Sequence, residues 1–138
     1  MNKFLIYASA RFFGEACLEL YICRTTPQGK KQVYLLPRPA SDPFYPSQLH
    51  MPGARKIPTE TDCDHLRRAF KETPFSIDTC VEYLMSTTLK AKRGTEYADI
   101  RRVTVPYDPK QEHFYDVDNL PENMIEHHKV IIRMVKNV

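Results

Sequence analysis

Six prolines, Pro37, Pro39, Pro43, Pro46, Pro52 and Pro58, fall between residues 37 and 58. Each lacks a backbone N–H and fixes its own φ, so no helix and no interior strand can run through this stretch. Arg38 to Pro58 is therefore predicted to be one long loop. A loop of that length in a compact chain is a functional or a mobile element. It also separates two kinds of pattern, strand-like before it and helical after it.

Before the loop, "ACLELYICRT" alternates apolar and polar residues through Leu18, Leu20 and Ile22, the period of a half-buried strand. It should pair with "KQVYLLPR" across a turn at Pro27 and Gly29. After the loop, Thr59 or Thr61 stands three residues before Asp62 or Asp64, in the manner of a capping box. The helix so opened must end by Thr73, because Pro74 follows. Cys63, Leu66 and Phe70 are its expected buried side, and His65, Arg68 and Glu72 its other side. "CVEYLMSTTLKA" and "YADIRRVTVPYD" are rich in β-branched and aromatic residues and should form a second hairpin turning near Gly94. A last helix is expected from about Pro121, with Ile125, His128, Ile132 and Val135 as its buried stripe. His128 then reads as a core histidine.

With 138 residues and 16.1 kDa, the chain is about one domain long, and no repeat or linker divides it. Residues 1–138 are predicted to form a single α/β domain. A net charge of +3 does not by itself require nucleic acid. Cys17, Cys23, Cys63 and Cys80 form no CxxC pair, which argues against a zinc ribbon or a disulfide framework and for buried thiols in a reducing compartment. The apolar run in "MNKFLIYASARFFGEA" is too short, and too soon charged, to span a membrane. The expected location is cytoplasmic.

The segment from Ala54 to Ser76 resembles the Nudix box, the signature of the Nudix hydrolase superfamily. That signature is a glycine, five residues, a glutamate, seven residues, then Arg-Glu-U-x-Glu-Glu-x-Gly-U, with U a bulky apolar residue. With Ala54 at the glycine, Glu60 meets the first glutamate, Arg68 the arginine, Phe70 the first apolar position and Glu72 the middle glutamate of the helix. Ala69 and Thr73 stand at the other two helical glutamates, and Phe75 and Ser76 at the closing pair. The preceding "LLPRPASDPFYPSQLHMPG" and the terminal "NLPENMIEHHKVIIRMV" are similar to flanking elements of the same family. The resemblance implies a Nudix-like α/β/α sandwich with a mixed sheet between helices.

It also implies a chemistry. In active members the three helical glutamates hold divalent ions on a substrate diphosphate. Here Glu72 is the one such metal ligand, so Mg²⁺ or Mn²⁺ would be held weakly. Arg68 and Glu60 complete the expected catalytic set, as a pair that braces the loop against the helix. Arg38, Phe44, Tyr45 and His50 would border the pocket, Arg38 toward a phosphate and the rings toward a base. Glu96, Asp99, Glu112, Asp116 and Asp118 are each read first as surface carboxylates, one of which could stand in for a lost ligand. The expected partner is a phosphorylated small molecule, a nucleotide derivative. The chain is expected to have no membrane contact; its oligomeric state is not legible in the sequence, although the resemblance leaves a homodimer open, since relatives are often dimers.

Three functions fit these residues. In the first, the fold binds a nucleoside-diphosphate derivative with weak or absent pyrophosphate hydrolysis. In the second, it is an active Nudix pyrophosphohydrolase with relocated ligands. In the third, Lys90, Lys92, Arg93, Arg101 and Arg102, with Tyr97 and Tyr107, make an RNA- or protein-interaction surface.

Overall fold

The computed structural model describes residues 14–138; the apolar run at residues 1–13 lies outside them. A six-stranded mixed sheet forms the centre. Its strands are β1 (Glu15–Thr25), β2 (Lys31–Tyr34), β5 (Gly53–Arg55), β6 (Val81–Ala91), β7 (Gly94–Thr104) and β8 (Phe114–Asp116). Two short strands, β3 (Leu36–Pro37) and β4 (Leu49–His50), pair separately. The helices among the described residues are α1 (Asp62–Phe70) and α2 (Glu126–Val135). In the main path β6, β7, β1, β2 and β8 lie side by side, and β5 adds to β1. Among the described strands of this sheet only β1 and β7 run parallel, in register from Glu15 opposite Glu96 to Cys23 opposite Thr104; the other pairs are antiparallel.

Alternation along β1 sends its side chains to two different cores. Leu18, Leu20 and Ile22 pack with Tyr34, Val103, Ala69 and Phe70 on the α1 face. Tyr21 packs with Val33, Ile100, Ile131, Ile132 and Val135 on the α2 face. The sheet is thus covered on both sides, the sandwich expected from the sequence. Both hairpins form as expected, with Thr26 closing the first turn and Gly94, at positive φ, the second.

Thr61 caps α1, its hydroxyl accepting from the Asp64 N–H and donating to the Asp64 carboxylate. The side chains rotate differently from the expected stripe. Cys63 is exposed, whereas His65 is buried and bonds through Nε2 to the Ala54 carbonyl at 2.7 Å. A polar ring with a fixed acceptor is placed inside at no cost in unsatisfied groups. Cys80 is exposed as well, so only Cys17 is fully buried among the four thiols.

α2 begins later than Pro121. The Leu49 N–H donates to the Asn123 carbonyl and the Ile125 N–H to the Leu49 carbonyl, so this segment pairs with β4 instead of coiling. The same pairing, together with β3 and β5, gives the proline-rich stretch more regular structure than a plain loop. The expected stripe of Ile125, His128, Ile132 and Val135 is buried. No helix among the described residues is long and apolar enough to cross a membrane.

Removing the Thr61 cap leaves first-turn N–H groups without their side-chain acceptor. Thr61→Ala is expected to lower unfolding free energy by about 1 kcal/mol, read by urea denaturation, while an unchanged midpoint would mean that the cap contributes nothing.

Candidate functional site

At the start of β1 the α2 face changes from apolar to charged. Glu15, Cys17 and Glu19 project there in alternation, and the parallel register sets Glu96 beside Glu15. All three carboxylates are buried, Glu96 to 1% exposure. Two arginines reach in. Arg93 Nε lies 2.6 Å from Glu15 and its Nη2 donates to Glu96 at 3.4 Å, while Arg55 pairs with the other oxygen of Glu15.

α2 closes the cluster with adjacent histidines, their ring centroids 4.6 Å apart. His127 Nε2 lies 3.3 Å from Glu96, without the alignment of a hydrogen bond. His128 Nδ1 accepts the Met51 N–H at 2.9 Å. Burial, and then the neighbouring His127 and His50, push the His128 ring well below its usual pKa and keep it neutral. Its proton therefore sits on Nε2, 3.7 Å from Glu19.

Burial and the Glu96 charge push the Glu19 carboxyl up, favouring its protonated form. Burial acts on Glu96 in the same sense, but His127 and Arg93 outweigh it and hold Glu96 below the carboxylate range. Two like groups in one low-dielectric space are thus driven apart. Glu15, Glu19, Arg38, Tyr45, His50, Arg55, Arg93, His127 and His128 surround a hollow of about 100 Å³. Gly53 forms part of its wall at close quarters, since a Cβ there would stand 2.5 Å from both Glu19 Oε2 and the Leu18 carbonyl.

On the opposite face, α1 is locked to the segment before it. Arg68 donates to both oxygens of Glu60, at 2.8 and 2.6 Å, and also to the Arg55 carbonyl. Glu60 in turn accepts the Ile57 N–H. A wider cleft of about 350 Å³ lies beside α1, with Lys56, Asp62, His65, Tyr97, Asp99 and Arg101 in its wall.

Comparison with protein-family models and with curated proteins returns no match. Solved structures do match. The Nudix domain of NrtR from Shewanella oneidensis, determined with ADP-ribose, has a TM-score of 0.64 at 15% identity, covering 99% of this chain and 98% of its own. A mutT/nudix family protein from Listeria innocua has a TM-score of 0.69 at 12% identity over 89% and 92%. A Nudix hydrolase from M. smegmatis, RenU, has a TM-score of 0.62 at 14% identity over 88% and 84%. The fold is the Nudix fold. Of the longer NrtR chain it spans 62%.

Within this Nudix fold the expected residues fall into three places. Arg68 and Glu60 form the bracing pair. Glu72 is exposed in the turn after α1, outside the walls of both the hollow and the cleft. Arg38, Tyr45 and His50 border the hollow, and Arg38 and Tyr45 are already engaged. Arg38 pairs with Asp42, which also accepts the Phe44 and Tyr45 N–H groups. The Tyr45 hydroxyl accepts the Lys92 N–H at 2.8 Å, so Tyr45 pins the loop to the β6–β7 turn. Phe44 is half-buried, its ring 6.5 Å from that of Tyr45.

Glu96 overturns its reading as a surface carboxylate. Of the basic cluster, Arg93 is half-buried and paired with Glu15, and Arg101 and Arg102 are paired with Asp99 and Glu82. Glu15, Glu19, Arg55 and His127 were not anticipated as site residues, and Arg93 was read only as part of a basic interaction surface. The available signal was the pair of acids at alternate positions in an otherwise apolar strand.

Burial, and then the Arg38 charge, push the His50 ring down to about 4. The unfolded chain therefore binds the extra proton first as pH falls. Stability contributed by neutral His50 is full above about pH 6.5 and is lost toward pH 4, by about 3 kcal/mol. His50→Gln should flatten that part of the denaturation profile; an identical slope in the variant would contradict the assignment.

Proposed function

We propose that this Nudix fold binds a nucleotide derivative at the charged hollow and hydrolyses it weakly or not at all. The observation that carries the reading is the state of the box segment. Ala69 is 2% exposed and packs into the apolar core under the sheet, so this position adds volume where the resemblance calls for a carboxylate. Arg68 and Glu60 hold the loop, and Glu72 stands alone in solvent. One isolated carboxylate leaves most of a magnesium shell to water and substrate phosphate, and holds the ion weakly.

The hollow supports the binding half of the proposal. Arg38, Arg55 and Arg93 converge on it, and its volume suits a phosphate-sized group, with the rest of the ligand over the proline-rich loop. The neighbour solved with ADP-ribose makes that compound a sensible first probe. The cleft beside α1 is larger, but Arg101 is the one arginine in its wall, against three at the hollow.

The test is a panel of nucleoside triphosphates, dinucleoside polyphosphates and ADP-ribose, with Mg²⁺ and with Mn²⁺. Expected is thermal stabilisation by at least one compound, with turnover absent or very slow and insensitive to Glu72→Gln. Rapid turnover abolished by Glu72→Gln would establish the box as a working metal site and overturn the proposal.

A further inference from the structure

Among the described residues, Glu19 is the one acid of the hollow that no cation meets. Arg55 and Arg93 both pair with Glu15, Arg93 also reaches Glu96, and Arg38 is taken by Asp42. The register neighbours of Glu19 are Ile100 on β7 and Gly53 on β5, neither of them charged. From α2 it faces the Nε2–H of neutral His128, 3.7 Å from Oε1, while His127 lies against Glu96. Oε2 is buried and has no partner. On its own strand, burial keeps Cys17 a neutral thiol. A buried carboxyl in such surroundings becomes neutral by taking up a proton.

We infer that Glu19 is a proton gate on the hollow: as a neutral acid it admits an anionic group, and once ionised it turns that group away. The inference rests on the binding reading above and adds how the same site is regulated.

The three arginines at the hollow are balanced by Asp42, Glu15 and Glu96, so a charge on Glu19 puts the acids in the majority. In a space of about 100 Å³ that charge adjoins any bound phosphate, and solvent screens it little. Burial and the Glu96 charge hold the carboxyl protonated, outweighing Arg93 and Arg38, which act the other way. Affinity for an anion is therefore full while Glu19 keeps its proton and is lost as pH rises through its raised pKa. His50, whose pKa is pushed down to about 4, does not gain a charge over that interval. Loss of a proton from His127 would weaken anion binding in the same sense, and a Glu19 variant separates the two.

The experiment uses the full chain and ADP-ribose, whose diphosphate keeps its charge over the range studied. Affinity is measured by calorimetry from about pH 5 to about pH 9 at constant ionic strength, for wild type and Glu19→Gln. Expected is a wild-type affinity that falls about tenfold per pH unit above the Glu19 pKa, and a flat profile in Glu19→Gln. Because the variant can misfold, the wild-type chain is also labelled with ¹³C-glutamate. One carboxyl should then titrate well above the ordinary glutamate range, and higher still with ADP-ribose bound, since a ligand that prefers the protonated form raises its pKa. A flat wild-type profile, an equal fall in folded Glu19→Gln, or glutamate carboxyls that all titrate in the ordinary range would each overturn the gate and leave the binding reading standing. ADP-ribose binding at no pH would overturn both.

Discussion

The parallel pairing of β1 with β7 is the constraint on which the molecule depends. Nine registered positions hold β1 along one edge, while β5 and β2 hold the other, so its residues are enclosed between α1 and α2. A strand in that place normally carries apolar side chains on both faces. β1 does so from Leu20 to Cys23, but its first turns of alternation bring Glu15 and Glu19 indoors. The register then sets Glu96 beside Glu15, and everything polar in the α2 layer follows. Arg55 and Arg93 are needed to neutralise these acids, and His127 and His128 lie over them from the helix.

That arrangement divides the molecule into two polar systems of different character. The Arg68–Glu60 pair on the α1 side is a brace. It is partly exposed, its hydrogen bonds are satisfied, and its effect is to fix the entry into α1. The carboxylates and histidines of the cluster on the α2 side are buried and incompletely hydrogen-bonded. Native cores seldom tolerate unsatisfied groups without a reason. This contrast is why the proposed ligand is placed at the hollow rather than on the helix that carries the box resemblance.

Local patterns in the sequence carried most of the fold. Both hairpins, the Thr61 cap and the stop before Pro74 are short-range events, and each was legible. The late start of α2 was not, because Asn123 and Ile125 are drawn away by Leu49, 74 residues or more earlier in the chain. The burial of Glu96 was hidden for the same kind of reason. Glu96 neighbours exposed Tyr97 and follows a glycine turn, so its local surroundings read as surface. Only the non-local pairing with β1 encloses it. Glu15 and Glu19 read as the solvent side of a half-buried strand, which is correct for the alternation and wrong for the environment. Arg38 and Tyr45 were placed at the right border, though the partners that occupy them, Asp42 and the Lys92 backbone, follow from how the loop folds back.

The account's central claim is that ligand recognition has moved to the β1–β7–α2 hollow while the box segment serves as a brace. Chemical-shift mapping with ADP-ribose on the ¹⁵N-labelled chain tests this most directly. The account predicts perturbations grouped on Glu19, Arg38, His50, Arg55, Arg93 and His127, with Arg68 to Ser76 unmoved. Perturbations centred on Arg68 to Ser76, with the hollow silent, would contradict it.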